Sequence, residues 1–307
     1  MLSDIFYWLL NLSVFGTVVG LLVLILRRLE FLPRFFIYLL WSLPFLRFWL
    51  PWGIASKYSL LTWLTKYTSK TITVWQSPSG IGEITMSNIT QAARSYFPIV
   101  YKTNLLQQIF TVAAVVWLGG VLILFSCSLF LYAKTKLAVK DAEHLKDNIY
   151  YSNKTSVPAI YGIWKPRIIL PVEQSDDSTV LVIKHELIHI KRKDNLWRFL
   201  AIFTACLHWF NPLIWLFVKY FFIDMELACD AGVLKQLPEN KKKDYAGVLL
   251  SNSYRISSFA SSFGGVKTKM RIENILTYKK LTIFSSLCFV VLFITLSLTL
   301  ITNAVGK

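Results

Sequence analysis

The chain has 307 residues, of which 55% are hydrophobic and only 16% are charged. This composition, with a mean hydropathy of +0.51, excludes an ordinary soluble globular protein and predicts a mainly α, multi-span membrane protein. The formal net charge is +16, and no DNA- or RNA-binding motif accompanies it. The basic excess therefore indicates contact with anionic lipid headgroups and no direct contact with nucleic acid.

Four apolar stretches are predicted to be transmembrane helices, since about 20 helical residues cross the roughly 30 Å core of a bilayer. They are residues 5–26 and 35–54 within segment 1–54, residues 109–131 within segment 106–133, and residues 281–301 within segment 281–302. The second stretch is the weakest because it contains Pro44 and Arg47. Arg47 has to snorkel to the interface or face other helices.

Basic residues cluster after the first span, after the third span and before the fourth. With four spans the three clusters lie on one side, which the positive-inside rule assigns to the cytoplasm. Both termini are then predicted to be extracellular, and residues 134–280 to form a cytoplasmic domain. The outer segment, residues 55–105, contains a candidate amphipathic helix that begins near Leu60, and a plain packed helix is an equal alternative.

The most specific motif is His185-Glu186-Leu187-Ile188-His189. On a helix the two histidines lie four residues apart and hence on one face, where their imidazoles can share a zinc ion. Glu186 can then act on a water held beside that ion. The alternative is a helix face that happens to carry two histidines.

A catalytic zinc site takes three protein ligands and leaves one position open. Glu226 and Asp230 lie four apart on a predicted helix, so Glu226 is the expected third ligand and Asp230 the expected acceptor for a ligand histidine. Cys229 is expected to point elsewhere on that helix. His208 and Cys229 remain alternative ligands.

Asp194 follows the second histidine by five residues. It could orient a histidine ring or cap the next helix, and a solvated loop acid is an equally good interpretation.

Residues 196–222 are largely apolar and would form a helix of roughly 40 Å if straight. Such a helix crossing the bilayer would carry Glu226 away from the histidines. Asn211-Pro212 interrupts the stretch, because proline lacks an N–H and clashes with the preceding turn. We therefore predict a membrane-dipping helical hairpin that bends near Asn211 and returns, with the site at the cytoplasmic face.

Residues 156–162 and 165–171 are predicted to be two short strands joined by a turn at Gly162. An edge strand beside a metal site can pair with an extended substrate backbone. A small structural hairpin is an equally good interpretation.

Together these features resemble the antirepressor-type membrane metallopeptidases, the family of the BlaR and MecR β-lactam sensor-transducers. The matching motifs are the hairpin 162–171, His185-Glu186-x-x-His189 and the stretches 209–215 and 226–230. The resemblance implies a gluzincin-like zinc (Zn²⁺) endopeptidase with His185, His189 and Glu226 as ligands and Glu186 as general base and acid. It also implies a role in signal transduction, with a cytoplasmic transcriptional repressor as substrate.

The β-lactam sensors carry an extracellular penicillin-binding domain after the last span, and this chain stops at Lys307. We therefore expect a member without that sensor domain or a truncated one, so β-lactam sensing is not supported. The family also implies self-processing. The loop 257–265 is a candidate cleavage site, with Ser262-Phe263 as the candidate bond, although a plain Ser/Gly linker is the favoured interpretation.

The expected partners are a peptide or protein substrate, which is a repressor or the protein itself, and the lipid bilayer of the cell membrane; an oligomer stays open. One rival class is a sensor or transducer scaffold with a non-catalytic zinc site. Two N ligands, one O ligand and an adjacent glutamate favour an open catalytic position, whereas closed structural sites prefer four Cys or His ligands. A transporter is disfavoured because Arg47 is the one charge inside a predicted span.

Overall fold

The structure, a computed structural model, describes residues 2–29, 31–50, 55–60, 62, 73–75, 84–86, 104–155, 158–172, 177–253, 268–278 and 282–303. These residues form a mainly helical protein with a small mixed sheet. The described helices are α1 (Leu2–Leu26), α2 (Arg34–Leu40), α3 (Ser42–Trp49), α4 (Asn104–Ala138), α5 (Asp177–Arg192), α6 (Asp194–Leu207), α7 (Pro212–Gln236), α8 (Lys242–Ser253), α9 (Thr268–Leu276) and α10 (Ile283–Ile301). The described strands are β1 (Thr73–Trp75), β2 (Ile84–Met86), β3 (Glu143–Lys146), β4 (Ile149–Ser152), β5 (Ala159–Tyr161) and β6 (Arg167–Pro171).

Two of the predicted features fall largely outside these residues. The candidate cleavage bond Ser262-Phe263 lies between the described parts of the chain, and so does most of the outer segment with its candidate amphipathic helix. A short antiparallel pair, β1 with β2, is described in that outer segment.

Three of the described helices are long and apolar enough to cross a bilayer: α1, residues Gln108–Leu137 of α4, and α10. They coincide with the first, third and fourth predicted spans. α4 and α10 expose large apolar side chains along most of their length, as helices in contact with lipid do.

The predicted second span is not one continuous helix, so four spans are not confirmed. α2 and α3 are seven and eight residues long and meet at Trp41. Pro44 explains the interruption, because it has no N–H to donate to the Leu40 carbonyl one turn earlier. Arg47 faces other helices: its guanidinium is buried and donates to the Ile301 carbonyl (2.9 Å) and to Asn303 Oδ1 (2.8 Å).

The pair α2–α3 runs beside α10. At its start Arg34 Nε donates to Asn274 Oδ1 in α9 (3.3 Å), shortly before α10 begins. Further along, the Phe36 and Phe289 rings lie 5.2 Å apart. At its end Arg47 donates to the carbonyl oxygen of Ile301, the last residue of α10. The pair therefore covers about the same distance as α10, although it is kinked.

The helical hairpin predicted around Asn211 is present as α6 and α7. Asn211 Oδ1 accepts from the Leu213 N–H (3.0 Å), which caps α7, and Pro212 occupies the first helical turn where no N–H is needed. Asn211 Nδ2 also donates to Ser13 Oγ (2.9 Å) and Thr17 Oγ1 (2.7 Å). The tip of the hairpin therefore contacts the middle of α1.

The second sheet has the strand order β3-β4-β6-β5, with β4 and β6 parallel and the other pairs antiparallel. β5 and β6 are the predicted hairpin, although both strands are shorter than the sequence suggested. Gly162 in their turn has φ +96°, and a Cβ there would lie 2.7 Å from the Lys165 carbonyl oxygen, so the turn requires glycine. β5 is an edge strand and packs beside α5.

Apolar clusters of the described residues fix how the helices meet: one, around Phe6 and Trp117, joins α1 to α4, and two others position the candidate site. The larger of these two joins α1, α2, α3, α6, α7 and the end of α10. The smaller one joins α5 to α7, α8 and α9 through the buried side chains Ile188, Cys229, Tyr245 and Ile275. This second cluster holds α5 against α7, which brings the candidate site together.

Candidate metal centre

The two histidines of α5 form the first half of the site. His185 and His189 are buried, and their Nε2 atoms lie 3.1 Å apart on one face of the helix. This is the arrangement that their four-residue spacing predicts.

Glu226 approaches the same point from α7. Its Oε2 lies 3.5 Å from His185 Nε2, and its Oε1 lies 3.6 Å from His189 Nε2. Donor atoms at zinc–ligand distances near 2 Å in a tetrahedral site are separated by about 3.3 Å. The three donors therefore fit a zinc ion, and the hairpin α6–α7 returns Glu226 to the histidines as predicted.

Cys229 also points into this cluster, contrary to the expectation that it would point elsewhere on its helix. Its ligand atom and the two histidine nitrogens all lie within 4.8 Å of one another. The thiol also donates to the His185 carbonyl oxygen (3.4 Å). The reason is helical spacing: residues three apart share a helix face as residues four apart do, so Cys229 flanks Glu226 just as Asp230 does.

Asp194 contacts the Nδ1 atom of His189, the ring nitrogen that does not face His185. Its Oδ2 lies 2.6 Å from His189 Nδ1, and its Oδ1 accepts from the Tyr38 hydroxyl (3.0 Å). Asp194 is fully buried, so the interpretation as a solvated loop acid is wrong. Lys193, at φ +56°, provides the left-handed turn between α5 and α6 that folds Asp194 back onto the histidine.

A tyrosine and a carboxylate support His185. His185 Nδ1 lies 2.9 Å from the Tyr245 hydroxyl, which donates to Asp230 Oδ1 (2.7 Å). The direct distance from His185 Nδ1 to Asp230 Oδ1 is longer, at 3.4 Å. The predicted approach of Asp230 to a ligand histidine is therefore present, and the hydroxyl of Tyr245, which the sequence did not indicate, contacts both groups.

Three arginines complete the polar surroundings, and the sequence reasoning missed their contacts, as it missed Tyr245. Arg192 lies 3.2 Å from Asp194 Oδ2. Arg271 of α9 donates from Nη2 to Asp230 Oδ1 (2.7 Å) and from Nε to Asp230 Oδ2 (2.9 Å). Arg198 of α6 pairs with Glu226. Arg271 and Tyr245 follow Asp230 by 41 and 15 residues, and no local spacing connects them to the motif.

These contacts set the charge of the carboxyl groups. Burial alone would raise the pKa of Asp230, but the Arg271 guanidinium lowers it to about 2. Burial opposes ionisation of Glu226 too, and the neighbouring His189 and Arg198 hold its pKa well below the usual range. Both carboxyl groups are therefore ionised at neutral pH, as a metal ligand and a hydrogen-bond acceptor have to be.

His208, an alternative ligand in the sequence, lies away from the site. It follows the last residue of α6, roughly 20 Å from Asp194 at the start of that helix. Its ring packs on Phe48, with the centroids 4.9 Å apart. The structure therefore leaves Glu226 and Cys229 as candidates for the third ligand.

Glu186 follows His185 on α5 and is half-buried. A carboxylate one residue from a metal ligand is within reach of a water beside the metal. A metal ion held by the two imidazoles and one carboxylate would supply a Lewis acid beside this second carboxylate, which is the combination that hydrolysis of a carbonyl compound needs.

The fold and the cluster define a class: a protein with membrane-length apolar helices in which two buried histidines meet Glu226 and Cys229, a set of donors able to hold a metal ion. The chain belongs to the BlaR1 peptidase M56 family, which matches residues 7–277. Membership implies a metallopeptidase.

Two kinds of curated protein are similar to part of the chain. The regulatory protein BlaR1 of Bacillus licheniformis is 34% identical over 125 residues, which is 37% of this chain and 21% of that protein. The methicillin resistance mecR1 proteins of Staphylococcus aureus and Staphylococcus epidermidis are 32% identical over 109 residues, or 34% of this chain and 19% of theirs. The matched region thus covers about a fifth of each relative.

Proposed function

We propose that this chain is a membrane-embedded zinc endopeptidase that hydrolyses peptide bonds at the cytoplasmic face. The observation that carries the proposal is the convergence of three side chains: the Nε2 atoms of His185 and His189 are 3.1 Å apart, and the two oxygens of Glu226 lie 3.5 Å from the first and 3.6 Å from the second. Three such ligands leave a fourth tetrahedral position for substrate chemistry.

Different residues of the chain have different roles in the proposed hydrolysis. A zinc ion held by these ligands would supply a Lewis acid that polarises the scissile carbonyl and makes water more acidic. Glu186 accepts the proton of the attacking water and delivers it to the leaving amine. Asp194 keeps Nδ1 of His189 protonated and its Nε2 free for the metal.

The substrate is proposed to bind as an extended strand along β5. This strand is at the edge of its sheet and lies beside α5, which carries the histidines. An edge strand offers unpaired backbone groups to a peptide without regard to its sequence. Asn195 Nδ2 donates to the Gly162 carbonyl oxygen (2.9 Å), which ties the end of β5 to α6 near the site.

The site is proposed to lie at the inner membrane surface, with both termini extracellular. Arg27, just after α1, pairs with the buried Asp224 (2.8 Å), two residues before Glu226. The site is therefore level with the basic end of α1, which the positive-inside rule assigns to the cytoplasm. The contact of Asn211 with the middle of α1 supports a hairpin that dips into the bilayer.

The names of the relatives suggest the biological role. They are described as a regulatory protein and as methicillin resistance proteins, and we propose that this chain also acts in signal transduction. Its substrate would be a cytoplasmic repressor, the protein itself, or both. For self-cleavage the candidate bond stays Ser262-Phe263.

The test is a zinc-dependent cleavage assay of the full chain in detergent. Glu186→Ala should keep its zinc and lose proteolysis, by at least about 100-fold, because the proton acceptor is gone while the ligands stay. Glu239→Ala, which removes an exposed glutamate, is the matched control and should cleave normally. Undiminished cleavage by Glu186→Ala would refute the mechanism.

A second function is favoured by the position of Cys229. If its thiolate joined the two histidines and Glu226, the site would have four protein ligands and no open position, as structural zinc sites do. The chain would then be a transducer scaffold with a non-catalytic metal. A cobalt-substituted protein distinguishes the two, because a thiolate ligand adds an intense near-ultraviolet charge-transfer band that a His-His-Glu site lacks.

A further inference from the structure

The Tyr245 hydroxyl contacts both a metal-ligand candidate and a charged carboxylate, and Tyr245 is not part of the motif that identifies the site. Its side chain is 1% exposed and sits in the apolar cluster shared by α5, α7, α8 and α9. A buried tyrosine hydroxyl requires partners, and this one has two: Asp230 Oδ1 at 2.7 Å and His185 Nδ1 at 2.9 Å.

The number of protons that each of these groups can donate determines the direction of the two hydrogen bonds. A carboxylate held by a bidentate arginine is an acceptor only, so the single proton of the Tyr245 hydroxyl goes to Asp230. The hydroxyl oxygen must then accept from His185, whose Nδ1 carries the proton. The Nε2 atom of His185 is left with a free lone pair.

A second contact agrees with this assignment. Arg271 Nη2 lies 3.4 Å from His185 Nε2, and a guanidinium has donors only. His185 Nε2 therefore faces this donor as an acceptor, which requires the tautomer with the proton on Nδ1. The same nitrogen lies 3.1 Å from His189 Nε2 and 3.5 Å from Glu226 Oε2.

We propose that Tyr245 is a positioning residue that fixes the tautomer and the ring orientation of His185, with Asp230 and Arg271 holding its hydroxyl in place. The inference rests on the proposed metal site. Tyr245 does not touch the substrate or the metal in this role; it acts through the histidine.

The arrangement is unlike that of His189, whose Nδ1 contacts the carboxylate of Asp194 directly at 2.6 Å. A hydroxyl is a weaker acceptor than a carboxylate, so the orientation of the His185 ring depends on all three hydrogen-bonded side chains, Tyr245, Asp230 and Arg271. These groups come from α8, α7 and α9. Metal affinity is therefore coupled to the docking of α8 and α9 on α7.

The test measures zinc affinity of the full chain in detergent by competition with a chromophoric chelator. Tyr245→Phe keeps the ring in its cluster and removes only the hydroxyl. We expect zinc to bind about 10- to 100-fold more weakly, as is typical when a group behind a ligand histidine is lost. The matched control is Tyr278→Phe, a tyrosine that packs against the same cluster and lies beside Lys242. It should bind zinc within about twofold of the wild type.

A cobalt titration separates positioning from a general loss of stability. In Tyr245→Phe the visible ligand-field bands of bound cobalt should shift, because the His185 ring is no longer held, whereas those of Tyr278→Phe should not. The unfolding midpoint of the metal-free protein checks that each variant is folded. If Tyr245→Phe does not fold, Asp230→Asn replaces it, since this change keeps the volume and weakens the acceptor of the hydroxyl.

The outcomes are distinct. Weaker zinc binding with altered cobalt bands in a folded Tyr245→Phe, or in Asp230→Asn where that variant replaces it, supports the positioning role. Zinc binding within about twofold of the wild type and unchanged bands overturn it, as does an equal loss in Tyr278→Phe. A wild-type chain that binds no zinc would instead refute the proposed function on which this inference rests.

Discussion

Glu226 and Cys229 are the two groups on α7 that compete for the third ligand position. The carboxylate reaches both histidines, with one oxygen 3.5 Å from His185 Nε2 and the other 3.6 Å from His189 Nε2. The thiol is also near both rings, and it has a second partner in the His185 carbonyl oxygen. The ionised carboxylate is the better match to an open catalytic zinc site.

Zinc content therefore distinguishes the two residues. Glu226→Ala should lose bound zinc on dialysis, with an affinity at least about 100-fold lower, because one charged ligand is removed outright. Cys229→Ser, close to it in size, should retain close to one zinc per chain. Metal analysis after dialysis measures both. A full zinc complement in Glu226→Ala together with a loss in Cys229→Ser would transfer the ligand role to the thiol.

How much of the site the sequence predicts depends on how far apart its residues are along the chain. His185 and His189 lie four residues apart on one helix, as do Glu226 and Asp230, so helical spacing alone places each pair on one face. Asp194 is near them in sequence but reaches His189 through the left-handed turn at Lys193. Tyr245, Arg198 and Arg271 reach the same point from three other helices. Their contacts depend on how helices pack, and no periodicity in a single sequence contains that information.

At the scale of elements, α9 is attached to the site by a buried ion pair. Arg271 and Asp230 are 18% and 0% exposed at their side chains, and two hydrogen bonds connect them. The rest of the helix offers few anchors, since Ile275 is its one fully buried residue. Asp230 is fully buried, so removal of Arg271 leaves the negative charge of its carboxylate without a compensating cation.

Arg271→Met is therefore expected to destabilise the folded protein by about 3 kcal/mol, the usual cost of breaking a buried pair from one side. Lys269→Met on the same helix is the matched control. Its pair with Glu273 is exposed on both sides, so its loss should change stability by less than about 1 kcal/mol. Denaturant unfolding of the two metal-free variants in detergent gives the comparison. Equal stabilities would mean that the ion pair does not hold α9 in place.

Local signals account for the elements that the sequence predicts correctly. The break at Asn211 follows from a capping side chain and a proline, and the turn at Gly162 follows from a residue that tolerates positive φ. The parallel pairing of β4 with β6 depends on a connection through β5 and could not be read from strand patterns. The kink between α2 and α3 was missed because total hydrophobicity outweighed the effect of Pro44 in the prediction.

At the scale of the whole molecule, two clusters of contacts mark opposite ends of the helical bundle. At one end Arg27 pairs with Asp224, and the metal centre lies next to it. At the other end Arg47 binds the last turn of α10, and the Ser56 N–H donates to the Asn303 carbonyl oxygen (2.9 Å). α10, with 19 residues, connects the two ends over about 28 Å, close to the thickness of a bilayer core.

Exposed side chains at the two ends allow this orientation to be tested. Tyr58, 83% exposed, follows the segment that binds the end of α10, and Trp164, 86% exposed, lies in the turn that Asn195 ties to the start of α6. In a background with Cys127→Ser and Cys288→Ser, a membrane-impermeant maleimide should label Tyr58→Cys in intact cells. Trp164→Cys should react only after the cells are opened.

The labelling result bears on the second span as well as on the termini. Arg27 and Arg47 lie at opposite ends of the bundle and are 20 residues apart in sequence. The pair α2–α3 between them therefore has to connect the two ends. If the kinked pair crosses the bilayer, Tyr58 and Trp164 lie on opposite sides, whatever the course of the outer segment. Labelling of both cysteines from the same side would mean that the pair does not cross, and the proposal of a cytoplasmic site with extracellular termini would fail with it.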